Sequence, residues 1–425
     1  PSLPQRIVKS QHYTNTHHLT PLTPYIDIMN RRQFVASIGC ATALGLSGCL
    51  TSTSGKNWGF VYPAPDVSHT ELQETITSTG CRILKEYQNF PYIYCDLENS
   101  DTEQLETHPT IERIEIDGTA HGKPEQNIID RLDITPTPSD WAQHRLSLDE
   151  AHTHTTGNGI SIGILDSGIA PHQSLTQPIH EQCAFGEFEK LYGGDHGLMC
   201  ASVAAGNDNT LTGAAPDATI YDLRIADDGY GIPLGYPGSI VSAIDYAITH
   251  NIEILSCSLS IPKPYQSDAL INAANRLYDN GHLLFFASGN DGNCTNTTSL
   301  DQTTDKIIPV GSTDKNGHIS TFSNQSTHVR YHAPGESVTV AYNQDGHKTV
   351  SGTSFAAPYT AGVAALLWNL IGPGPSPETR DTVLTALDKS TQQNTTHRSC
   401  SLFNTHGLES REINAARAIN DLTPE

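Results

Sequence analysis

Apolar and polar positions follow two regimes along the chain. From Trp141 onward, short apolar runs alternate with longer periodic segments. ISIGILD, ATIYDLRI, IEILSCSLS, HLLFFASGN and KIIPVGS read as strands, and LMCASVAAG, SIVSAIDYAITH, SDALINAANRLYDNG and the run after Ser354 read as helices. Strands that are apolar throughout, interleaved with helices, predict an α/β fold: a parallel sheet flanked by helices on both faces. From Trp58 to His121 the pattern differs. HTELQETITSTG reads as a helix, RILKEYQNFPYIYCDL as two strands joined at Asn-Phe-Pro, DTEQLETHP as a second helix and TIERIEID as a closing strand. This is a small α+β unit. Between the two, Gly122 to Ser139 is polar with several prolines and reads as a linker open to proteolysis.

The N-terminus is expected to contribute nothing to the fold. Pro1 to Ile28 carries no periodicity and reads as sequence upstream of the start at Met29, one of only 2 methionines. From there, MNRRQFVASIGCATALGLSGCL has a charged start (Arg31, Arg32) and an apolar stretch too short to cross a bilayer. The Arg pair followed by Phe34 resembles a twin-arginine export signal. Leu46-Ser47-Gly48-Cys49 resembles a lipobox, with Cys49 as the lipidated mature N-terminus. An uncleaved anchor is the alternative. The expected division is 1–28 outside the protein, 29–49 signal, 50–122 the small unit and 123–425 the α/β domain. An exported protein follows, either extracellular or anchored to the outer face of the cytoplasmic membrane.

Charge narrows the partners. The 425 residues carry 46 Asp and Glu against 24 Lys and Arg, a net charge of -22. So acidic a chain has no cationic footprint for nucleic acid, nor for electrostatic docking on anionic lipid. Solubility explains the charge, and so does life in high salt, where self-repulsion is screened. The 9 Cys are too sparse for a disulfide framework. Cys81 and Cys95 can pair in an oxidising compartment, and no Cys/His grouping has zinc-ligand spacing.

In a parallel α/β sheet, chemistry gathers at the carboxyl ends of the strands. Asp166 ends ISIGILD, His196 opens a small-residue helix in GGDHGLMCASVAAG, and Ser354 opens another in SGTSFAAP. Singly, Asp caps turns, Ser caps helices, and His196 is one of 20 histidines. Together they have the makings of a triad: a nucleophile, its base and the base's orienting carboxylate.

ILDSGI, DHG…CASVAAG and SGTSFAAP resemble the Asp, His and Ser motifs of the subtilisin-like serine proteases, over roughly Trp141 to Ile419 and the preceding unit. The resemblance implies a serine endopeptidase with Asp166, His196 and Ser354 catalytic. In LLFFASGNDG, Asn290 matches the oxyanion-hole motif, although Asn also suits a turn there. Ser258, Leu259 and Ser260, with Gly229 and Gly231 opposite and Gly289 beside Asn290, fall where the family binds an extended peptide. The small unit resembles the family's inhibitory propeptide, which implies a ferredoxin-like fold for it and a cut somewhere from Ala120 to Lys123. The molecule is expected to act as a monomer on peptide and protein substrates. The chemistry needs no cofactor. Structural calcium is an option at Gly206-Asn207-Asp208-Asn209, an oxygen-rich loop that equally makes a turn.

Several positions depart from the family pattern. Leu198 and Met199 replace Thr-His, Phe355 replaces the Met after the nucleophile, and Tyr359 replaces a His. Ser260 replaces a Gly and is expected to narrow the main specificity pocket toward small or slender side chains. Rival readings are a processing protease with one client, a catalytically weak homologue used for binding, and an α/β hydrolase. The last lacks support, since neither its G-x-S-x-G elbow nor its Ser…Asp…His order is present.

Overall fold

The computed structural model describes residues 57–423 except 99, 101, 118–119, 122–140, 178, 186–193, 228–233, 260–266, 293–303 and 399–407. The segment expected to direct export, with Cys49, the whole Gly122 to Ser139 linker, and Gly229, Gly231 and Ser260 lie outside the described residues.

Five strands come first: β1 (Trp58–Pro63), β2 (Arg82–Glu86), β3 (Ile93–Asp96), β4 (Ile111–Ile116) and the two-residue β5 (Ala120–His121). The first four form an antiparallel sheet in the order β2-β3-β1-β4, with helices His69–Ser78 and Thr102–Glu106 in the connections. This is the ferredoxin-like βαββαβ arrangement. The sequence reading lacked β1, which lies between β3 and β4. Period-two alternation splits its side chains. Val61, Ile93 and Cys95 pack with Leu72 and Ile76 of the first helix. Trp58, Phe60, Tyr62, Tyr92 and Tyr94 face the other way, into a core shared with the larger domain. Cys81 and Cys95 are buried free thiols, so the pairing allowed above is not formed.

The larger domain is built on β6 (Ser161–Asp166), β7 (Ile179–Ala184), β8 (Thr219–Arg224), β9 (Ala226–Asp227), β10 (Leu234–Gly235), β11 (Ile254–Cys257), β12 (Leu283–Ala287), β13 (Ile308–Thr313) and β14 (Tyr331–Pro334). The hairpin β15 (Val338–Tyr342) and β16 (Gly346–Val350) follows, then β17 (Gln392–Arg398) and β18 (Leu408–Glu412). Nine strands make one sheet, ordered β17-β18-β14-β13-β12-β11-β6-β8-β7. All its pairings are parallel except β17 with β18.

Both faces are buried, which is why these strands read as unbroken apolar runs. Ile162, Ile164, Ile254, Leu283 and Phe285 point to one side, against helices Asp195–Ala205 and Thr353–Ile371. Leu165, Leu255, Leu284 and Phe286 point to the other, against helices Pro237–Thr249 and Asp268–Asp279. Each such side chain, fully buried, contributes about 1.5–3 kcal/mol over its exposed state.

The small unit sits on the N-termini of that second helix pair. Asp117 accepts from Gly238 N at 3.1 Å and Glu115 accepts from Ala269 N at 3.2 Å, each in a first helical turn. Carboxylates there satisfy orphan N–H groups and meet the positive end of the helix dipole. In return, buried Asp245 accepts from Gln88 N at 3.1 Å, Asn89 N at 2.8 Å and Asn89 Nδ2 at 3.0 Å. From this unit β5 runs on to pair antiparallel with β10, extending the β9–β10 edge to three strands.

Candidate active site

Asp166 is the last residue of β6, and its side chain lies at the carboxyl edge of the sheet. Its Oδ1 accepts from Ser167 N at 2.7 Å and from His196 Nδ1 at 2.7 Å. Residues 30 apart in sequence meet because the His196 helix rides directly on the turn after β6. That approach requires Gly197: a Cβ there would stand 2.2 Å from Gly168 O. Both side chains of the pair are buried, at 1% and 7% exposure. Burial disfavours a charged imidazole, but the Asp166 carboxylate and its hydrogen bond outweigh it. The His196 pKa therefore stands above its ordinary value.

Ser354 is not a helix cap. Helix Thr353–Ile371 is capped by Gly352 with no side-chain bond, and Ser354 lies inside the first turn. Four residues on stands Pro358, which has no N–H to give the Ser354 carbonyl. That carbonyl instead accepts from Ser258 Oγ at 2.8 Å and from Cys200 Sγ at 3.4 Å. The Ser354 hydroxyl donates to Ser258 O at 3.4 Å, a long bond and so a weak one. Cys200, one turn beyond His196, lies 3.8 Å from His196 Nδ1. It ties the histidine helix to the serine helix. Burial pushes its thiol up to about 11, so it stays neutral near pH 7.

Asn290 follows β12. Its Oδ1 accepts from Thr353 N at 2.9 Å and Thr353 Oγ1 at 2.9 Å. Two donors on one atom fix the amide's orientation and leave Nδ2 to donate elsewhere. Nδ2 lies on the Gly352 side, 3.4 Å from where a Cβ on Gly352 would stand. The strand end that carries Asn290 turns through Gly289 at φ +99°, where a Cβ would meet Asn324 Nδ2 at 2.5 Å. Asn324 donates to Ser288 O at 3.1 Å and accepts from Asp291 N at 3.0 Å. It thereby holds the loop.

Asp166, His196, Ser354, Asn290, Ser258 and Gly289 thus gather at one site, through direct contacts or through Cys200, Thr353 and Gly352. Leu259 is fully buried in the core, so only its backbone is available to a ligand. Sequence reasoning missed Cys200, Thr353, Asn324 and Pro358. The usable signals among them were the Ser-x-x-x-Pro spacing and the His-x-x-x-Cys spacing on one helix face.

The Asp208 loop does not suit calcium. Its carboxylate already accepts from Thr210 N at 2.7 Å, Leu211 N at 2.8 Å and His347 Nε2 at 2.9 Å. Calcium takes six to eight oxygens, and an Asp closed by three N–H donors has little to offer. The loop is a turn pinned to the β15–β16 hairpin.

Comparison with known proteins places residues 157–401 under the Subtilase family model, Peptidase_S8. The chain is 28% identical over 303 residues to minor extracellular protease Epr of Bacillus subtilis, covering 69% of this chain and 46% of Epr. It is 32% identical over 216 residues to subtilisin DY of Bacillus licheniformis, covering 50% and 77% respectively. Among solved structures, fervidolysin of Fervidobacterium pennivorans, a keratinolytic enzyme related to subtilisin, superposes with a TM-score of 0.67 at 16% identity. That match covers 87% of this chain and 62% of fervidolysin, and it concerns the fold alone. The chain thus spans less than half of Epr and under two thirds of fervidolysin.

Proposed function

Because this chain belongs to the subtilase family of serine endopeptidases, we propose that it cleaves peptide bonds with Ser354 as nucleophile and His196 as general base. Asp166 orients the imidazole and Asn290 donates to the oxyanion. The Asp166–His196 contact of 2.7 Å between buried side chains carries the reading. A carboxylate on Nδ1 keeps the ring proton there and leaves the Nε2 lone pair to accept a proton.

In the reaction the Ser354 hydroxyl gives up its weak bond to Ser258 O and transfers its proton to His196 Nε2 as Oγ attacks the carbonyl carbon. The tetrahedral oxyanion takes hydrogen bonds from Asn290 Nδ2 and the Ser354 backbone N–H, both held in place before the charge develops. The imidazolium, stabilised by Asp166, then protonates the leaving amine. Water repeats the sequence on the acyl-enzyme. The substrate lies extended between the Gly229–Gly231 and Ser258–Ser260 segments, and Ser260 limits the pocket to small or slender side chains.

Residues 50–122 act as an inhibitory propeptide that the domain from 123 onward removes by cutting between Ala120 and Lys123. The added strand β5 at the β9–β10 edge and the carboxylates on two helix N-termini support this. Segment 29–49 directs export, and lipidated Cys49 anchors the chain. The protein works as a monomer on peptide and protein substrates. No step uses a metal.

The test is the chain from Met29 beside its Ser354→Ala variant. The unaltered chain should shed the N-terminal unit and hydrolyse peptides, and the variant should do neither. Equal processing of both would rule out self-cleavage.

A further inference from the structure

Asn324 takes no part in the cleavage steps, yet its bonds converge on the turn that carries Asn290. β12 ends at Ala287, and after the bond from Ser288 N to Val310 O, at 3.0 Å, the chain leaves the sheet through Gly289. Asn290 is then held from two directions. Thr353, on the serine helix, donates twice to Asn290 Oδ1 and accepts from Gly289 N at 3.1 Å. Those bonds turn the amide but give no hold on Asp291, the next residue. Asn324 supplies it. Its Oδ1 accepts from Asp291 N at 3.0 Å, and its Nδ2 donates to Ser288 O at 3.1 Å and to Asp291 Oδ2 at 3.3 Å. Its backbone N donates to Gly289 O at 2.9 Å. One donor facing its oxygen and two acceptors facing its nitrogen leave the Asn324 amide a single orientation.

Asn324 is itself immobile. It is 2% exposed, and its segment is rooted in β13. Ser312 N donates to Ser323 Oγ at 3.0 Å, and the Ser312 and Ser320 hydroxyls share a bond of 2.8 Å. A supporting residue fixed to the sheet passes the sheet's rigidity to the group it holds.

We propose that Asn324 is the positioning residue for the oxyanion donor, keeping Asn290 Nδ2 on target by holding Ser288 and Asp291 on either side of the turn. The proposal rests on Asn290 being that donor. Such a donor works only if it is in place before the charge develops, and a displacement of about 1 Å costs up to about 100-fold in rate. Without the Asn324 side chain, the carbonyl of fully buried Ser288 loses this partner. A buried acceptor left bare is costly, so the turn rearranges to satisfy it. The bond to the oxyanion strengthens in the transition state, so the loss falls on kcat rather than KM.

The test measures hydrolysis of a short chromogenic peptide by the full chain, by Asn324→Ala and by Asn324→Asp, with folding checked by thermal unfolding. The same two substitutions are then placed in the Asn290→Ala chain. Asn324→Ala should lower kcat about 10–100-fold with KM little changed. Asn324→Asp fills the same space and still accepts from Asp291 N, but it has no N–H for Ser288 O. It should lose at least as much, which a packing role does not predict. In the Asn290→Ala chain neither substitution should slow turnover further, because the donor they aim is gone. Wild-type turnover in Asn324→Ala, an effect on KM alone, or equal losses with and without Asn290 overturns the proposal. If Asn290→Ala itself costs nothing, the donor assignment fails and the proposal with it. An unaltered chain inert to both peptide and fluorophosphonate overturns the protease reading and everything resting on it.

Discussion

Replacing Asp166 by Asn probes what the carboxylate does. Its Oδ1 accepts from both Ser167 N and His196 Nδ1. An amide there must keep its oxygen toward Ser167 N–H, so it also keeps accepting from Nδ1–H. The tautomer survives and only the charge is lost. A carboxylate and an imidazolium about 4 Å apart between charge centres attract by about 4 kcal/mol at an effective dielectric of about 20. Both groups are buried, so solvent does little to screen them. If the imidazolium of the transition state loses that attraction, turnover falls about a thousandfold. The His196 pKa also falls, because Asp166 is the largest of the influences that raise it against burial. Activity requires the neutral ring, so the acid limb of the kcat/KM profile should move to lower pH. The assay is hydrolysis of a chromogenic peptide across pH, with the fluorophosphonate-reactive fraction counting competent sites. A variant within about tenfold of wild type, or one with an unmoved acid limb, would refute the reasoning.

Asn290→Ala should cost about 100–1,000-fold in kcat with KM little changed, a range known from subtilisin rather than worked from this geometry; steady-state kinetics on a short peptide decides. Buried His332 has Nε2 without a partner among the described residues, and burial, aided by Arg411, pushes its pKa down to about 4. The unfolded ring titrates near 6.5 and binds more protons between these values, so stability is present above pH 6.5 and lost as pH falls toward 4. The loss is about 3 kcal/mol. Urea midpoints at the two ends should show it, and His332→Gln should flatten most of it. Asp208→Asn should lower Tm equally with and without calcium; a calcium-dependent difference would mean the loop holds the ion after all.

The sheet was legible because burial on both faces leaves its strands apolar throughout. The proposed triad was legible because three ordered motifs, at strand ends and helix mouths, resemble those of a known family. β1 was missed because its role depends on partners later in the chain: WGFVYP becomes a central strand only once β3 and β4 flank it. Cys200 was passed over because an isolated Cys among Met, Ala and Ser reads as core; its spacing of four from His196 on one helix was legible, and only the fold sets its sulfur against the Ser354 carbonyl. Asn324 sits in the polar stretch SNQS, and nothing local says that it will hold the loop bearing Asn290. Ser354 was ambiguous for a different reason. A cap and a nucleophile look alike in sequence, and they separate only when Gly352 is seen to occupy the cap.

The most direct measurement is the site of covalent attack. Treat the full chain with a fluorophosphonate, digest it, and map the phosphonyl adduct by mass spectrometry. The adduct should fall on Ser354, disappear in Ser354→Ala, and form far more slowly when His196 is replaced by Ala. An adduct on another residue, or labelling unchanged by either substitution, would contradict the assignment.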